Sequence, residues 1–297
     1  MALFNKLNGP VFYKESSDAK NQLDQLKSYC ENTSGDVRKQ IEQDIRLLQY
    51  GVVGEDTVSF ELKNSFMPMI VLHDLYIEQD NLTAQIDYVV ITRKLIFIIE
   101  CKNLFGNIEV NSKGNFIRTL DFNGRKKREG IYSPITQNER HMELLRKLRR
   151  DNKSNLFSKL VFDKYFNDNY KSIVVLANPK TVIDLKYAKK EIKDRIIRGD
   201  QLIAYMKRMN QESKNAPASD ALMHELAESL LALHQEKQTD YLKRYKDPKP
   251  PDLNPPANEM QVDLESTPVY QDLKAYRLSK SREEGIKANY VYNNIQL

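Results

Sequence analysis

Two carboxylates and a lysine on neighbouring apolar segments are the residues best placed for chemistry in this 297-residue sequence. Asp87 lies in Gln85-Ile86-Asp87-Tyr88-Val89-Val90, and Glu100 and Lys102 lie in Ile98-Ile99-Glu100-Cys101-Lys102-Asn103. Both segments are short, rich in Ile, Val, Phe and Tyr, and read as strands joined across Arg93-Lys94. Side chains alternate along a strand, so Glu100 and Lys102 share one face while Cys101 points to the other. Pairing of the two strands could bring Asp87 beside Glu100. Two acids and a lysine are costly to bury on an apolar sheet unless they pair or hold a metal. The set suits phosphodiester hydrolysis. Carboxylates can hold one or two divalent cations that polarise the phosphate and acidify water, and a lysine can orient that water or stabilise charge on phosphorus. Glu55, near a helix N-terminus, could add a ligand or an orienting hydrogen bond. The competing reading is a surface Glu–Lys pair of little energetic worth. The run LIFIIE, apolar on both faces, and the upstream Asp87 weigh towards a site.

Composition narrows the remaining classes. Hydrophobic residues make up 40% of the chain and charged ones 29%, enough for one or two globular domains with solvated connections. Cys30 and Cys101 are the only cysteines, too few for a disulfide framework or a thiolate zinc site. The four histidines are scattered. Any metal is therefore expected on carboxylates, which select a hard cation, Mg2+ or Mn2+. No apolar run approaches the roughly 18 residues of a membrane span, and the first residues lack an apolar signal core. A cytoplasmic protein with no membrane contact is expected. The net charge of +5 is unevenly placed: residues 101–160 hold 14 Lys and Arg against 6 Asp and Glu. Such an excess suits a polyanionic partner, although solvated helix faces and loops give the same count.

The elements that must position these residues follow from periodicity. Asp18–Glu31 and Asp36–Tyr50 read as helices joined by Asn32-Thr33-Ser34-Gly35, and a third short helix is expected after Gly54. Strands are expected at Met69–Leu75, Gln85–Thr92, Leu95–Lys102 and Gly106–Val110, then a hairpin or extended excursion around Gly114 and Gly124. Ser133-Pro134 opens a helix to about Arg150. Ser172–Ala177 is a buried strand, and helices follow near Asp200–Met209 and Asp220–Gln238. Six of the eleven prolines fall between Pro248 and Pro268, marking a linker. The expected division is an N-terminal helical region over 1–50, a core over 51–212, a helical extension over 213–246, the linker over 247–271 and a tail over 272–297. The fold class is α/β (α+β), a layered sheet and helices with no internal repeat.

Gly54-Glu55 ahead of a short helix, QIDYVVIT, FIIECKN followed by Gly106, and SPITQNERH together resemble the nuclease-related domain family. That family belongs to the PD-(D/E)xK nuclease-like superfamily. The resemblance runs over roughly residues 11–210, with the motifs in the expected order. It implies a restriction-endonuclease-like core, a central mixed sheet flanked by helices, with extra helices at the N-terminus. It further implies magnesium-dependent cleavage of DNA in a bacterial cytoplasm. Asp87 and Glu100 would be the metal ligands, Lys102 the catalytic lysine and Glu55 the acid of the first core helix. Gln137 and His141 resemble the Q-x3-Y element of RecB-type nucleases, with His in place of Tyr; His141 would face DNA. The superfamily's proline before the acid is replaced by Gln85-Ile86. The tail LKAYRLSKSREEGIKANYVYNN resembles the opening of an HRDC-type helical domain, which would suit a helicase or another DNA-processing partner.

Arg125, Lys126, Lys127 and Arg128, on an expected loop, are candidates for phosphate contact. Arg146, Lys147, Arg149 and Arg150 crowd the end of the helix from Pro134, where cations also suit the helix dipole. The expected function is a divalent-metal-dependent DNA nuclease, acting in DNA processing or on foreign DNA. The alternative is a non-catalytic nucleic-acid-binding scaffold, or an interaction protein that keeps the fold.

Overall fold

The computed structural model describes residues 6–122, 125–237 and 239–246, with isolated residues at 275, 279, 282 and 283. In chain order the elements are β1 (Pro10–Lys14), α1 (Asp18–Glu31), α2 (Gly35–Lys63), β2 (Met69–Gln79), β3 (Leu82–Ile91), β4 (Ile96–Lys102), β5 (Asn107–Val110), β6 (Phe116–Phe122) and β7 (Arg125–Ile131). Then come α3 (Pro134–Asp151), α4 (Leu156–Asn169), β8 (Tyr170–Leu176), β9 (Ile183–Asp184), α5 (Lys190–Lys193), β10 (Ile196–Arg198), α6 (Leu202–Glu212), α7 (Asp220–Leu231) and α8 (Lys243–Lys246). The chain divides into two compact units, one of residues 1–18, 53–118 and 130–237, the other of 19–52, 119–129 and 238–297.

The first unit is built on a six-stranded mixed sheet of order β1-β2-β3-β4-β8-β10. β2, β3 and β4 form the antiparallel centre, while β1 joins β2, and β8 and β10 follow β4, in parallel. The turn at Arg93-Lys94 is closed by Thr92, whose backbone N–H donates to the Leu95 carbonyl at 2.8 Å. One sheet face packs Ile96, Ile98, Val89 and Leu72 against Leu144 and Leu145 of α3 and Met223, Ala227 and Leu230 of α7. The other packs Phe97, Ile99, Val90 and Val175 against Val58 and Leu62 of α2 and Leu202 and Met206 of α6. This is the mixed sheet between helices expected above. β5 and β9 pair in parallel in a second sheet of order β7-β6-β5-β9. The second unit gathers Leu26, Cys30, Ile41 and Tyr245 in its own apolar cluster.

Four local expectations change. α2 runs unbroken through Gly51 and Gly54, where a separate short helix was expected. A helical glycine costs about 1 kcal/mol against alanine, and burial of Val58 and Leu62 on the sheet offsets it. α7 ends at Leu231, because the chain leaves the helix to hydrogen-bond β2: the Gln235 N–H donates to the Tyr76 carbonyl at 2.9 Å and the Tyr76 N–H donates to His234 Nδ1 at 3.1 Å. Arg125, Lys126, Lys127 and Arg128 lie on the exposed strand β7 instead of a loop. Finally, α4 was not expected at all. Its start is fixed by Asn155 and Ser158 in a reciprocal capping box.

Alternation along the central strands breaks at one place. Leu72 and Leu75, three residues apart, lie in the same apolar cluster, as do Ile86 and Val89. The β2–β3 ladder pairs His73 with Tyr88 and Leu75 with Ile86, skipping Asp74 opposite Asp87. Asp74 has φ 56°, in the left-handed region where Asp is tolerated better than most residues. Its strain is held by hydrogen bonds. Asp74 Oδ2 accepts from the Asp18 N–H at 2.5 Å and Oδ1 from Gln85 Nε2 at 2.7 Å. Lys14 Nζ donates to the carbonyls of Ser16, His73 and Asp74 at 2.9, 3.1 and 2.8 Å. The irregularity releases Asp87 from the regular ladder.

Candidate active site

Asp87 turns to the end of β4. Its Oδ2 accepts the Cys101 backbone N–H at 2.6 Å, placing the carboxylate between Glu100 and Lys102 in sequence. Glu100 follows Ile96 and Ile98 on the face covered by α3, and its side chain is 2% exposed. Its Oε1 lies 2.7 Å from Lys102 Nζ, so the predicted acid–acid–lysine set is assembled. Glu55 acts on Asp87 through its charge from α2, which covers the opposite face of the sheet. Its Oε2 meets His73 Nε2 at 2.8 Å and accepts from Ser17 Oγ at 3.3 Å. The Glu55 carbonyl also accepts from Tyr88 Oη at 2.8 Å, fixing α2 to β3.

The electrostatics follow from burial and like charge. Burial, then the charges of Glu100 and Glu55, push the Asp87 carboxyl well up, against the weaker pull of Lys102 and the Cys101 N–H. Burial alone would raise Glu100 too, but the His141 ring and the Lys102 ammonium outweigh it and hold Glu100 below its ordinary value. Burial works to lower Lys102, and its two acidic neighbours Glu100 and Asp87 reverse the direction and raise it. Cys101, on the other face, is a half-buried thiol pushed well up by desolvation and by Asp87.

α3 supplies the back of the site. Ser133 caps it, its Oγ accepting the Thr136 N–H at 3.2 Å, with Pro134 in the first turn as expected. Asn138 is fully buried and donates through Nδ2 to the carbonyls of Ile98 and Ile173 at 2.9 and 3.0 Å, tying α3 to β4 and β8. Gln137 is half-buried in the preceding position. His141, one turn on, faces Glu100: its Nδ1 stands 3.4 Å from Glu100 Oε2, and neither buried atom makes a well-formed hydrogen bond.

A divalent cation can be tested against these groups. Glu100 Oε2 is buried with an unused lone pair, and Asp87 carries the repulsion of two other carboxylates. Both features are relieved by a cation between Asp87 and Glu100. Among the described residues no group of three or more His, Cys, Asp or Glu side chains forms a metal cluster. Two protein carboxylates, with water and phosphate oxygens completing the shell, is the mode magnesium favours. The donor set fits Mg2+ or Mn2+ on those terms.

The basic groups divide. Arg146 and Arg150 both bind Asp163 of α4, at 3.0 and 2.8 Å, Lys147 binds Asp80 at 2.7 Å, and Arg149 donates to Ser229 Oγ at 2.6 Å. These cations join elements of the first unit, which accounts for their place on α3. On β7, Lys127 pairs with Glu129 at 3.1 Å.

Sequence reasoning missed His73, Ser17 and Asn138, all buried and all bonded to site elements. The signal was present for His73: His73-Asp74 interrupts an otherwise apolar strand, MIVLHDLYI.

No helix among the described residues is long and apolar enough to cross a membrane. No curated protein and no solved structure matches the chain. The HRDC-type resemblance of the tail is not borne out, and nearly all of that segment lies outside the described residues. Residues 50–177 match the family model described as the nuclease-related domain, a span that holds Glu55, Asp87, Glu100, Lys102, Gln137 and His141. Over residues 50–177, the chain is thus similar to the nuclease-related domain family.

Proposed function

We propose that the chain is a divalent-metal-dependent nuclease that hydrolyses the phosphodiester bonds of DNA. The observation that carries this is the convergence of Asp87, Glu100 and Lys102 at the irregular end of a buried sheet, where three carboxylates repel and one lysine compensates. A Mg2+ or Mn2+ ion held by Asp87 and Glu100 would polarise the scissile phosphate and lower the pKa of water. The chain's own residues do the rest. The Cys101 N–H fixes Asp87, His141 backs Glu100, and Lys102, partly exposed beside them, offers Nζ donors to the attacking water or to charge building on phosphorus. Gln137 and Glu55 flank the cluster from α3 and α2, and Arg125, Lys126, Lys127 and Arg128 are proposed phosphate contacts. A cytoplasmic setting and a helicase or other DNA-processing partner belong to the same proposal.

The second reading, a binding scaffold without turnover, has support in the closed Lys102–Glu100 pair, which partly neutralises the acid without any metal. Cleavage of linear, circular and single-stranded DNA with Mg2+, Mn2+ or a chelator, in wild type and Glu100→Ala, separates them. Metal-dependent cutting lost in Glu100→Ala supports the nuclease. Salt-sensitive DNA binding without cutting in either protein supports the scaffold.

A further inference from the structure

We infer that His73 is a positioning residue, holding the Glu55 carboxylate at the acid cluster through a shared proton. His73 is 4% exposed and lies flat on Tyr88, ring centroids 4.4 Å apart and planes 10° from parallel. Its Nδ1 stands 3.1 Å from the Glu15 carbonyl oxygen and its Nε2 2.8 Å from Glu55 Oε2. A carbonyl oxygen can only accept, so Nδ1 carries a hydrogen. Nε2 then faces a carboxylate, and a contact at 2.8 Å places a second proton between nitrogen and oxygen, whichever atom holds it.

The geometry makes this a clamp on one oxygen. Ser17 Oγ, itself buried, donates to the same Oε2 at 3.3 Å. Both contacts fall on Oε2, so Oε1 is the oxygen left for water or substrate at the cluster. The ring cannot swing away, since Tyr88 covers its face and Tyr88 Oη is bonded to the Glu55 carbonyl. Two neighbouring strands thus fix Glu55, β2 holding its carboxylate through His73 and β3 its backbone through Tyr88.

The catalytic meaning rests on the nuclease reading, so the test has one arm that does not need cleavage. In the full chain labelled with 15N, Glu55→Gln is expected to shift the His73 ring nitrogens, Nε2 most. Unchanged His73 resonances in Glu55→Gln would overturn the clamp even if the wild type cuts DNA. In the second arm, kcat and KM for DNA cleavage are measured for His73→Phe, His73→Gln, Glu55→Gln and the pair His73→Phe with Glu55→Gln. His73→Phe keeps the ring stack but not the bonds, and kcat is expected to fall roughly 10- to 100-fold with KM unchanged. His73→Gln restores one donor and recovers part of the loss. The double variant cuts no slower than Glu55→Gln alone. Additive losses, or losses that track unfolding in both His73 variants, would show a core histidine only. A wild type that does not cut removes the nuclease reading, while the resonances still decide whether His73 holds Glu55.

Discussion

Gly54 is where the helix bearing Glu55 touches the strand bearing Glu100 and Lys102. A methyl group built there meets Asn103 Cβ at 2.8 Å and Cys101 Sγ at 3.4 Å. Carbon atoms rest about 3.5–4.0 Å apart, so Gly54→Ala must push α2 from the strand end or displace Asn103. Overpacking of this kind costs about 1–3 kcal/mol, and the better helix propensity of alanine returns about 1 kcal/mol. The net expectation is a destabilisation of up to about 2 kcal/mol, using the same two effects. Gly51, one turn earlier on the same helix, has nothing within 4 Å of its added methyl. Gly51→Ala should therefore stabilise by about 0.5–1 kcal/mol. Each kcal/mol moves Tm by about 2–4 °C in a domain of 150–250 residues, so circular dichroism melting should show shifts of opposite sign. Cleavage should fall in Gly54→Ala beyond what the lost stability explains, because Glu55 is the next residue. A Tm for Gly54→Ala at or above that of Gly51→Ala would mean that α2 does not rest on the strand end, and the placement of Glu55 would fall with it.

Other changes report on the supports of the site. Asn138→Leu leaves the Ile98 and Ile173 carbonyls without their side-chain donor and should cost about 1–3 kcal/mol in urea unfolding; a neutral result would detach α3 from β4. Lys14→Met strips a donor from three carbonyls around the Asp74 irregularity, which should lower stability and cleavage together, and an unaffected cleavage rate would mean the irregularity does not set Asp87. Arg150, with Arg146, holds Asp163 below the ordinary carboxylate range. A depressed carboxyl contributes stability above its unfolded value of about 4, and that contribution is lost as pH falls through the lower folded value. Stability of Asp163→Asn should be weaker than wild type at neutral pH and converge with it in acid; parallel pH curves would show that the two arginine pairs contribute nothing.

The acid–acid–lysine set was legible because its signal is local: two polar residues two apart at the end of an apolar run, and an acid on the adjoining strand. The antiparallel pairing of β3 with β4 followed from a short polar break. Less was legible where tertiary contacts decide. Strict alternation would not foresee the face change at Asp74 and Asp87, which depends on Lys14, Asp18 and Gln85 arriving from distant positions. α4 escaped because Leu156, Phe157 and Leu160 are 69%, 76% and 58% exposed, so its apolar residues do not mark a single buried stripe. α2 looked interrupted because glycine lowers helix propensity, while the need for a residue without Cβ against Asn103 exists only in the folded chain. Asn138 was missed because its partners, the Ile98 and Ile173 carbonyls, come beneath α3 only in the folded sheet.

Mn2+ affinity and DNA cleavage rate, measured on the same samples of wild type, Glu100→Ala and Lys102→Ala, address the proposed chemistry most directly. Wild type should bind Mn2+ and cut, Glu100→Ala should lose both, and Lys102→Ala should keep the metal but lose the cutting. Metal-dependent cleavage that survives Glu100→Ala, or a wild type that neither binds Mn2+ nor cuts, would contradict a catalytic centre at Asp87, Glu100 and Lys102.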